Sequence, residues 1–186
     1  MAPLAPGATL TYPGSAPCNT TLQACISSAG DGDTVSVLPG TYVTSTLVIT
    51  RGIRLEGAGP AATALQASSG RVISISTNIT AGVTISGVRV QNGVISAGTV
   101  GGAGIYAGSR TPLHLLNTDI MTNSTSAVLA YGGGLFAAGP AFVTNTRFVS
   151  NTTLAVKHPR VDTTLSGVPL SAAGAILGGV RAGAID

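Results

Sequence analysis

The sequence predicts an all-β fold, a parallel β-helix in which short strands wind into stacked coils. Two observations support this prediction. From Thr34 onward, short β-branched runs alternate with turn residues. Two stretches in the second half of the chain also repeat each other at spacings of 28 and 30 residues.

Composition excludes several competing classes. Charged residues make up 8% of the 186-residue chain and hydrophobic residues 44%, which is the reverse of a disordered protein. The nine Lys and Arg residues are scattered along the chain, so we expect no nucleic-acid partner. Uninterrupted apolar runs stay shorter than the roughly 18 residues that a membrane helix needs, so we expect no membrane span.

Most of the predicted strands are three to five residues long and alternate apolar with polar side chains. That pattern is typical of strands with one buried face. Turn signals such as Pro39-Gly40, Asn92-Gly93 and residues 132–134 separate them. The predicted strands include residues 34–37, 47–49, 53–55, 72–75, 83–85, 88–90, 113–115 and 142–143.

The internal repeat gives the length of one coil. Residues 102–106 (GAGIY) match residues 132–136 (GGGLF) at a spacing of 30. Residues 115–123 (LLNTDIMTN) match residues 143–151 (VTNTRFVSN) at a spacing of 28. A period of this length that holds three short strands fits one coil of a parallel β-helix.

The same repeat places asparagines in pairs. Asn117 and Asn145 are predicted to stack at one turn, because Asn tolerates a left-handed backbone. Asn123 and Asn151 are predicted to stack at another. Stacked amides can hydrogen-bond along such a column, so we interpret these four stacked-turn asparagines as structural and not catalytic.

The N-terminal part has a different pattern. Residues 1–17 are rich in Pro, Gly and Ala and are predicted to be an extended arm without its own core. Residues 20–29 are predicted to be helical, with Asn19 or Thr20 as the cap and Gly30 at the end. The helical spacing is carried by Leu22, Cys25, Ile26 and Ala29.

Cys18 and Cys25 lie seven residues apart. They form either a disulfide that closes a small turn, as an extracellular location would favour, or a pair of small buried residues. Their spacing does not fit a zinc site, because no second Cys or His pair accompanies it. Four N-x-[ST] sequons give the glycosylation candidates Asn19, Asn78, Asn123 and Asn151.

Three segments carry a resemblance to a known superfamily. Residues 18–26 (CNTTLQACI), 32–42 (GDTVSVLPGTY) and 47–59 (LVITRGIRLEGAG) resemble the start of bacterial extracellular right-handed parallel β-helix proteins of the pectate-lyase-like superfamily. The GGG-hydrophobic and F-x-x-N signatures look like the repeats of polymorphic outer-membrane and surface adhesin proteins. The resemblance covers about residues 18–151.

The resemblance implies a right-handed solenoid, a short helix that caps the first coil, and an extracellular or cell-surface location. We therefore divide the chain into three parts. They are an extended N-terminal arm (residues 1–17), a parallel β-helix (residues 18–152) and an apolar C-terminal coil or assembly tail (residues 153–186).

Acidic residues are too few and too dispersed to predict catalysis. A lyase of this superfamily needs a carboxylate cluster for calcium and a base, and a hydrolase needs paired carboxylates facing one groove. The six acidic residues do not recur at the spacing of one coil. They are Asp31, Asp33, Glu56, Asp119, Asp162 and Asp186. We predict that the protein is not an enzyme and has no catalytic residue, no metal and no cofactor.

The two histidines do not change this expectation. His114 lies between two leucines of a predicted strand and is expected to face solvent. His158 precedes a proline in a segment with no regular pattern. Neither belongs to a Ser-His-Asp arrangement that the spacing supports.

Assembly is the remaining function class. Residues 165–180 (LSGVPLSAAGAILGGV) are apolar and uncharged. If exposed, they would form an apolar patch that association with a second copy would bury. A head-to-tail contact does not close and gives a filament. We predict an extracellular structural or adhesive protein that self-associates as a surface or filament subunit. The alternative is a carbohydrate-binding module or degenerate polysaccharide lyase, favoured by a groove lined with Glu56, Asp119, Arg89 and Arg147.

Overall fold

A computed structural model describes residues 7–96, 99–127 and 129–155 of the chain. These residues form a parallel β-solenoid of about five turns with a single short helix. The architecture confirms the predicted all-β parallel β-helix with a short N-terminal helix. Residues 156–186, which include most of the predicted C-terminal tail, lie outside the described part.

Three long sheets run along the solenoid, and each takes one strand from successive coils. Sheet 1 consists of β1 (Thr9–Tyr12), β2 (Thr34–Val37), β5 (Arg54–Gly57), β8 (Val83–Ser86), β13 (Leu113–Leu116) and β18 (Ala141–Thr144). Sheet 2 consists of β3 (Gly40–Thr44), β6 (Thr63–Ala67), β9 (Arg89–Gln91), β14 (Asp119–Met121) and β19 (Arg147–Val149). Sheet 3 consists of β4 (Leu47–Ile49), β7 (Ile73–Ile75), β12 (Ile105–Ala107) and β17 (Leu135–Ala137).

Two shorter sheets widen the later coils. Sheet 4 consists of β10 (Val94–Ile95), β15 (Ser124–Ala127) and β20 (Thr152–Ala155). Sheet 5 consists of β11 (Thr99–Gly101) and β16 (Leu129–Tyr131). The strand pairs in all five sheets are parallel, so each strand aligns with its equivalent one coil away.

This alignment builds the core from columns of aliphatic side chains. In sheet 1 the inward residues Val35, Leu55, Ile85 and Leu115 are in register and fully buried. Sheet 2 adds the column Leu65, Val90 and Ile120. Sheet 3 adds the column Leu47, Ile73, Ile105 and Leu135. Each fully buried Leu or Ile stabilises the fold by about 1.5–3 kcal/mol relative to an exposed one.

The described part of the predicted N-terminal arm, residues 7–17, contributes strand β1 to the solenoid. β1 pairs in parallel with β2, with Thr9 opposite Thr34. Leu10 and Tyr12 alternate with polar residues and pack against the core, which explains why this segment adds a strand. The Ala8 amide also donates to Asp33 Oδ1 at 2.7 Å.

Helix α1 (Leu22–Ser28) starts later than predicted. The N-cap is Thr21 and not Asn19 or Thr20, because the Thr21 hydroxyl accepts the Ala24 amide at 3.1 Å. The helix buries Leu22, Cys25 and Ile26. Cys25 is bonded to Cys18, which ties the preceding turn to the helix.

Gln23 of α1 closes the N-terminal edge of sheet 3. Its Oε1 accepts the Val48 amide at 2.7 Å, and its Nε2 donates to the Val48 carbonyl at 3.0 Å. The side-chain amide therefore takes the place of a neighbouring strand at the middle residue of β4. Because sheet edges invite pairing with other chains, this contact removes one such edge at the N-terminal end.

Candidate functional site

Asn123 and Asn151 form a buried amide ladder between successive coils. Asn123 is 0% and Asn151 2% exposed. Asn123 Nδ2 donates to Asn151 Oδ1 at 2.9 Å and to the Val90 carbonyl at 3.1 Å. Asn123 Oδ1 accepts the Gly93 amide at 2.8 Å, and Asn151 Nδ2 donates to the Ile120 carbonyl at 2.7 Å. The ladder thus supplies a partner for the Gly93 amide in the turn between sheets 2 and 4 and ties that turn to the Val90 and Ile120 carbonyls of sheet 2.

The glycine motifs of the repeat make room for this ladder. A Cβ built on Gly104 would lie 2.9 Å from Asn123 Nδ2, and one on Gly134 would lie 2.9 Å from Asn151 Cγ. The GGG-hydrophobic and F-x-x-N signatures are therefore two halves of one packing arrangement. Its function within the fold is structural.

Asn117 and Asn145 form a second ladder, at the exposed turn between sheets 1 and 2. Both have a left-handed backbone, with φ of 48° and 46°. Asn145 Nδ2 donates to Asn117 Oδ1 at 2.5 Å. In the buried ladder, by contrast, the left-handed residues are the preceding Thr122 and Ser150.

The two ladders should differ sharply in energy. Asn123→Ala leaves the Gly93 amide without its partner in a buried site and removes the side-chain hydrogen bonds to the Val90 carbonyl and to Asn151 Oδ1. We expect the free energy of unfolding to fall by about 2–4 kcal/mol. Asn145→Gly, which keeps the left-handed turn and removes an exposed amide, should change it by about 0.5 kcal/mol or less. Urea denaturation measures both values, and equal effects would contradict the assignment.

Asp119 is clamped on the outer face of sheet 2. Arg147, its partner one coil away, donates from Nε to Oδ1 at 2.8 Å and from Nη2 to Oδ2 at 2.6 Å. The hydrogen bonds from Arg147 hold the pKa of Asp119 below its ordinary value, against desolvation, and Arg89 on the other side acts in the same direction. The Arg89 Nε is buried and has no hydrogen-bond partner among the described residues.

This clamp predicts a pH dependence of stability. Since the pKa of Asp119 is lower in the folded chain than in the unfolded chain, the carboxylate stabilises the fold above about pH 4. That contribution is lost as the pH falls through the lowered pKa. In Asp119→Asn, the acid-dependent part of the unfolding free energy between about pH 5 and pH 2 should shrink. Urea titrations at several pH values measure it, and an unchanged slope would contradict the clamp.

The four residues of the predicted groove do not come together. Arg89, Asp119 and Arg147 share one column of sheet 2, but Glu56 lies in β5 of sheet 1. Both oxygens of Asp119 already accept hydrogen bonds from Arg147. The arrangement therefore offers cations and amides for binding and no free carboxylate in this column for proton transfer.

The other acids and histidines have the following places. Asp33 Oδ2 accepts the Gly30 amide at 2.7 Å and Asp31 Oδ1 accepts the Gly52 amide at 2.6 Å, so both aspartates organise turns. His114 lies on the outer side of sheet 1 and stacks on Phe142 with ring centroids 4.7 Å apart. The remaining predicted residues, His158, Asp162 and Asp186, lie outside the described part of the chain.

Among the described residues, no group of three or more His, Cys, Asp or Glu side chains could hold a metal ion. The described part also contains no helix with the length and hydrophobicity to cross a membrane.

Burial divides the four sequons. Asn19 and Asn78 are exposed. Asn123 and Asn151 belong to the buried ladder. The two pairs therefore share a sequence motif but have opposite access to solvent.

An aromatic and cationic cluster occupies a corner between sheets 3 and 5. Tyr106 and Phe136, equivalent residues of successive coils, stack with ring centroids 5.4 Å apart. Arg71 lies over Tyr106 at 4.8 Å and donates to the Gly101 and Gly102 carbonyls at 2.7 and 2.8 Å. Our sequence analysis missed this cluster, although the spacing of 30 residues already aligned its two rings.

The C-terminal end of the described solenoid carries exposed apolar side chains. Residues 141–155, here called the terminal coil, expose Phe142 by 53%, Val149 by 37% and Leu154 by 67%. Within the described residues, the sheets end on this side in the edge strands β16, β17, β18, β19 and β20. This end thus combines apolar surface with unpaired backbone groups.

The core columns are also less buried at this end of the described residues. Leu115 and Ile120 are fully buried. Val143 and Phe148, which follow them one coil later in the same columns, are only partly buried. The two ends therefore differ, because α1 and Gln23 cover part of the N-terminal end and the described residues supply no equivalent at the C-terminal end.

Comparisons with known proteins identified no relative of this chain. A scan of protein-family models, a search of curated proteins and a search of solved structures each found no match.

Proposed function

We propose that this protein is an extracellular structural or adhesive β-helix subunit that self-associates through the C-terminal end of its solenoid. The observation that carries the proposal is the terminal coil, where Phe142 and Leu154 are exposed and the core residues Val143 and Phe148 are only half covered. A second copy whose terminal coil docks there would remove this apolar surface from water.

The difference between the two ends of the solenoid supports association through the C-terminal end. At the N-terminal end, Gln23 satisfies the backbone of Val48, and the side of α1 away from the core carries polar residues such as Ser27 and Ser28. That surface is a poor template for a further coil. Contact between two C-terminal ends closes as a two-fold dimer, whereas the filament form of the proposal requires head-to-tail contact.

Several features support an extracellular location. The bond between Cys18 and Cys25 is of a kind that persists in oxidising compartments. The Asn19 and Asn78 sequons are exposed, as a secreted glycoprotein would require. The likeness of the GGG-hydrophobic and F-x-x-N repeats to those of surface adhesins, and of the N-terminal segments to the pectate-lyase-like superfamily, is part of the same proposal.

A carbohydrate-binding module is the second candidate, and a specific surface favours it. The outer face of sheet 2 presents the cationic column Arg89–Asp119–Arg147 beside the amides of Gln66 and Gln91, which bond to each other at 3.1 Å. Guanidinium and amide donors can bind sugar hydroxyls or carboxylates. Because Asp119 is clamped, this surface suits binding better than turnover. Glycan binding without product formation would favour this candidate, and product formation would contradict a non-enzymatic role.

Self-association can be tested with matched surface variants of the full chain. We expect sedimentation velocity to show a concentration-dependent dimer for the unmodified chain. The double variant Phe142→Ser, Leu154→Ser should weaken the association at least about tenfold, because it removes apolar surface from the contact. The control Val43→Ser, Val94→Ser alters outward side chains of similar exposure in earlier coils, away from the terminal coil (61% and 56%), and should leave association unchanged.

Electron microscopy of the same samples separates the forms of assembly. Two-fold dimers joined at one end support contact between terminal coils, and long rods support the filament form. Uniform monomers up to about millimolar concentration, with circular dichroism showing a folded chain, would overturn the proposal.

A further inference from the structure

The four sequons present the same motif in two different environments. Asn19 lies in the exposed turn that leads into α1, and Asn78 lies in the exposed turn between β7 and β8. The hydroxyl residues of these two sequons, Thr21 and Thr80, are exposed as well. Both sequons can therefore carry a large substituent on the Asn nitrogen without any change in the fold.

The other two sequons have no such space. Asn123 Nδ2 donates to the Val90 carbonyl and to Asn151 Oδ1, and Asn151 Nδ2 donates to the Ile120 carbonyl. Even a methyl group on Gly104 or Gly134 would collide with these amides at 2.9 Å. A sugar is far larger than a methyl group, so a chain modified at Asn123 or Asn151 cannot form the buried ladder.

We propose that Asn19 and Asn78 are N-glycan acceptor sites and that Asn123 and Asn151 stay unmodified in the folded protein. The donor is an oligosaccharide carried on a polyprenyl diphosphate. In the transfer, a bond forms between Asn Nδ2 and the anomeric carbon of the sugar while the bond from that carbon to the phosphate oxygen breaks. The polyprenyl diphosphate leaves with the electron pair, and the amide proton passes to a base of the transferase.

This inference rests on the proposed extracellular role and adds a consequence to it. Asn19 precedes the helix that covers the N-terminal end, and Asn78 joins the second and third coils. The sequon within the terminal coil is that of the buried Asn151. Glycans at the two acceptor sites would therefore crowd the N-terminal half and leave the C-terminal contact surface bare.

The test is to secrete the full chain from a eukaryotic cell line and map its glycosylation sites. Enzymatic release of N-glycans in ¹⁸O-water converts each occupied Asn to a labelled Asp, which mass spectrometry locates. We expect label at Asn19 and Asn78 and none at Asn123 or Asn151. Asn19→Gln and Asn78→Gln should each remove the mass of one glycan, and the double variant should be secreted at the mass of the bare polypeptide.

A glycan on Asn123 or Asn151, or a bare Asn19 or Asn78, in the folded secreted protein would overturn the inference. Failure of the self-association proposal is distinguishable from this outcome. Sedimentation of the enzymatically deglycosylated protein would then show monomers, while the map of glycosylation sites would stay as expected.

Discussion

The structure depends on parallel backbone pairing between coils in a constant register. Because each strand aligns with its equivalent one coil away, each side chain lies over the side chain at the same place in the repeat. Apolar residues therefore form continuous columns, as Leu55, Ile85 and Leu115 do, and burial stabilises every member of a column. A polar residue that points inward must be satisfied by its equivalent above or below it, as Asn123 is by Asn151.

The same constraint explains the difference between the two ends. A coil without a neighbour has unpaired backbone and an uncovered column. At the N-terminal end the chain supplies β1, helix α1 and the Gln23 amide to cover these groups. At the terminal coil the described residues leave Phe142 and Leu154 exposed, and this difference is the basis of the proposed association. Along the flanks, Asp31 and Asp33 are held in turns and Asp119 in an ion pair.

Much of the fold could be predicted from local pattern and spacing. The alternation of short β-branched runs indicated the strands, and the spacing of 28 residues aligned Asn117 with Asn145 and Asn123 with Asn151. The same spacing also aligns Asp119 with Arg147, so this ion pair could have been found. The sequence analysis placed both residues in one groove but did not pair them, because it looked for recurring acids and not for an acid followed by a base.

Other contacts had no local signal. The pairing of β1 with β2 depends on a free edge that exists only after the first coil forms, so composition alone suggested an extended arm without its own core. The contact between Gln23 and Val48 joins residues 25 positions apart that share no motif. The choice of Thr21 and not Thr20 as the N-cap of α1 depends on which hydroxyl reaches the Ala24 amide, and both residues suit a cap equally well.

Residue-resolved amide exchange in solution tests the coil-to-coil pairing most directly. The Ile73 amide donates to the Gly104 carbonyl at 2.9 Å, the Val83 amide to the Pro112 carbonyl at 2.8 Å, and the Ile105 amide to the Gly134 carbonyl at 2.8 Å. In a solenoid these interior amides exchange only when the fold opens as a whole, so they should be the slowest of the chain and should share one opening free energy. Rapid, unrelated exchange at these three amides would contradict the stacked-coil account.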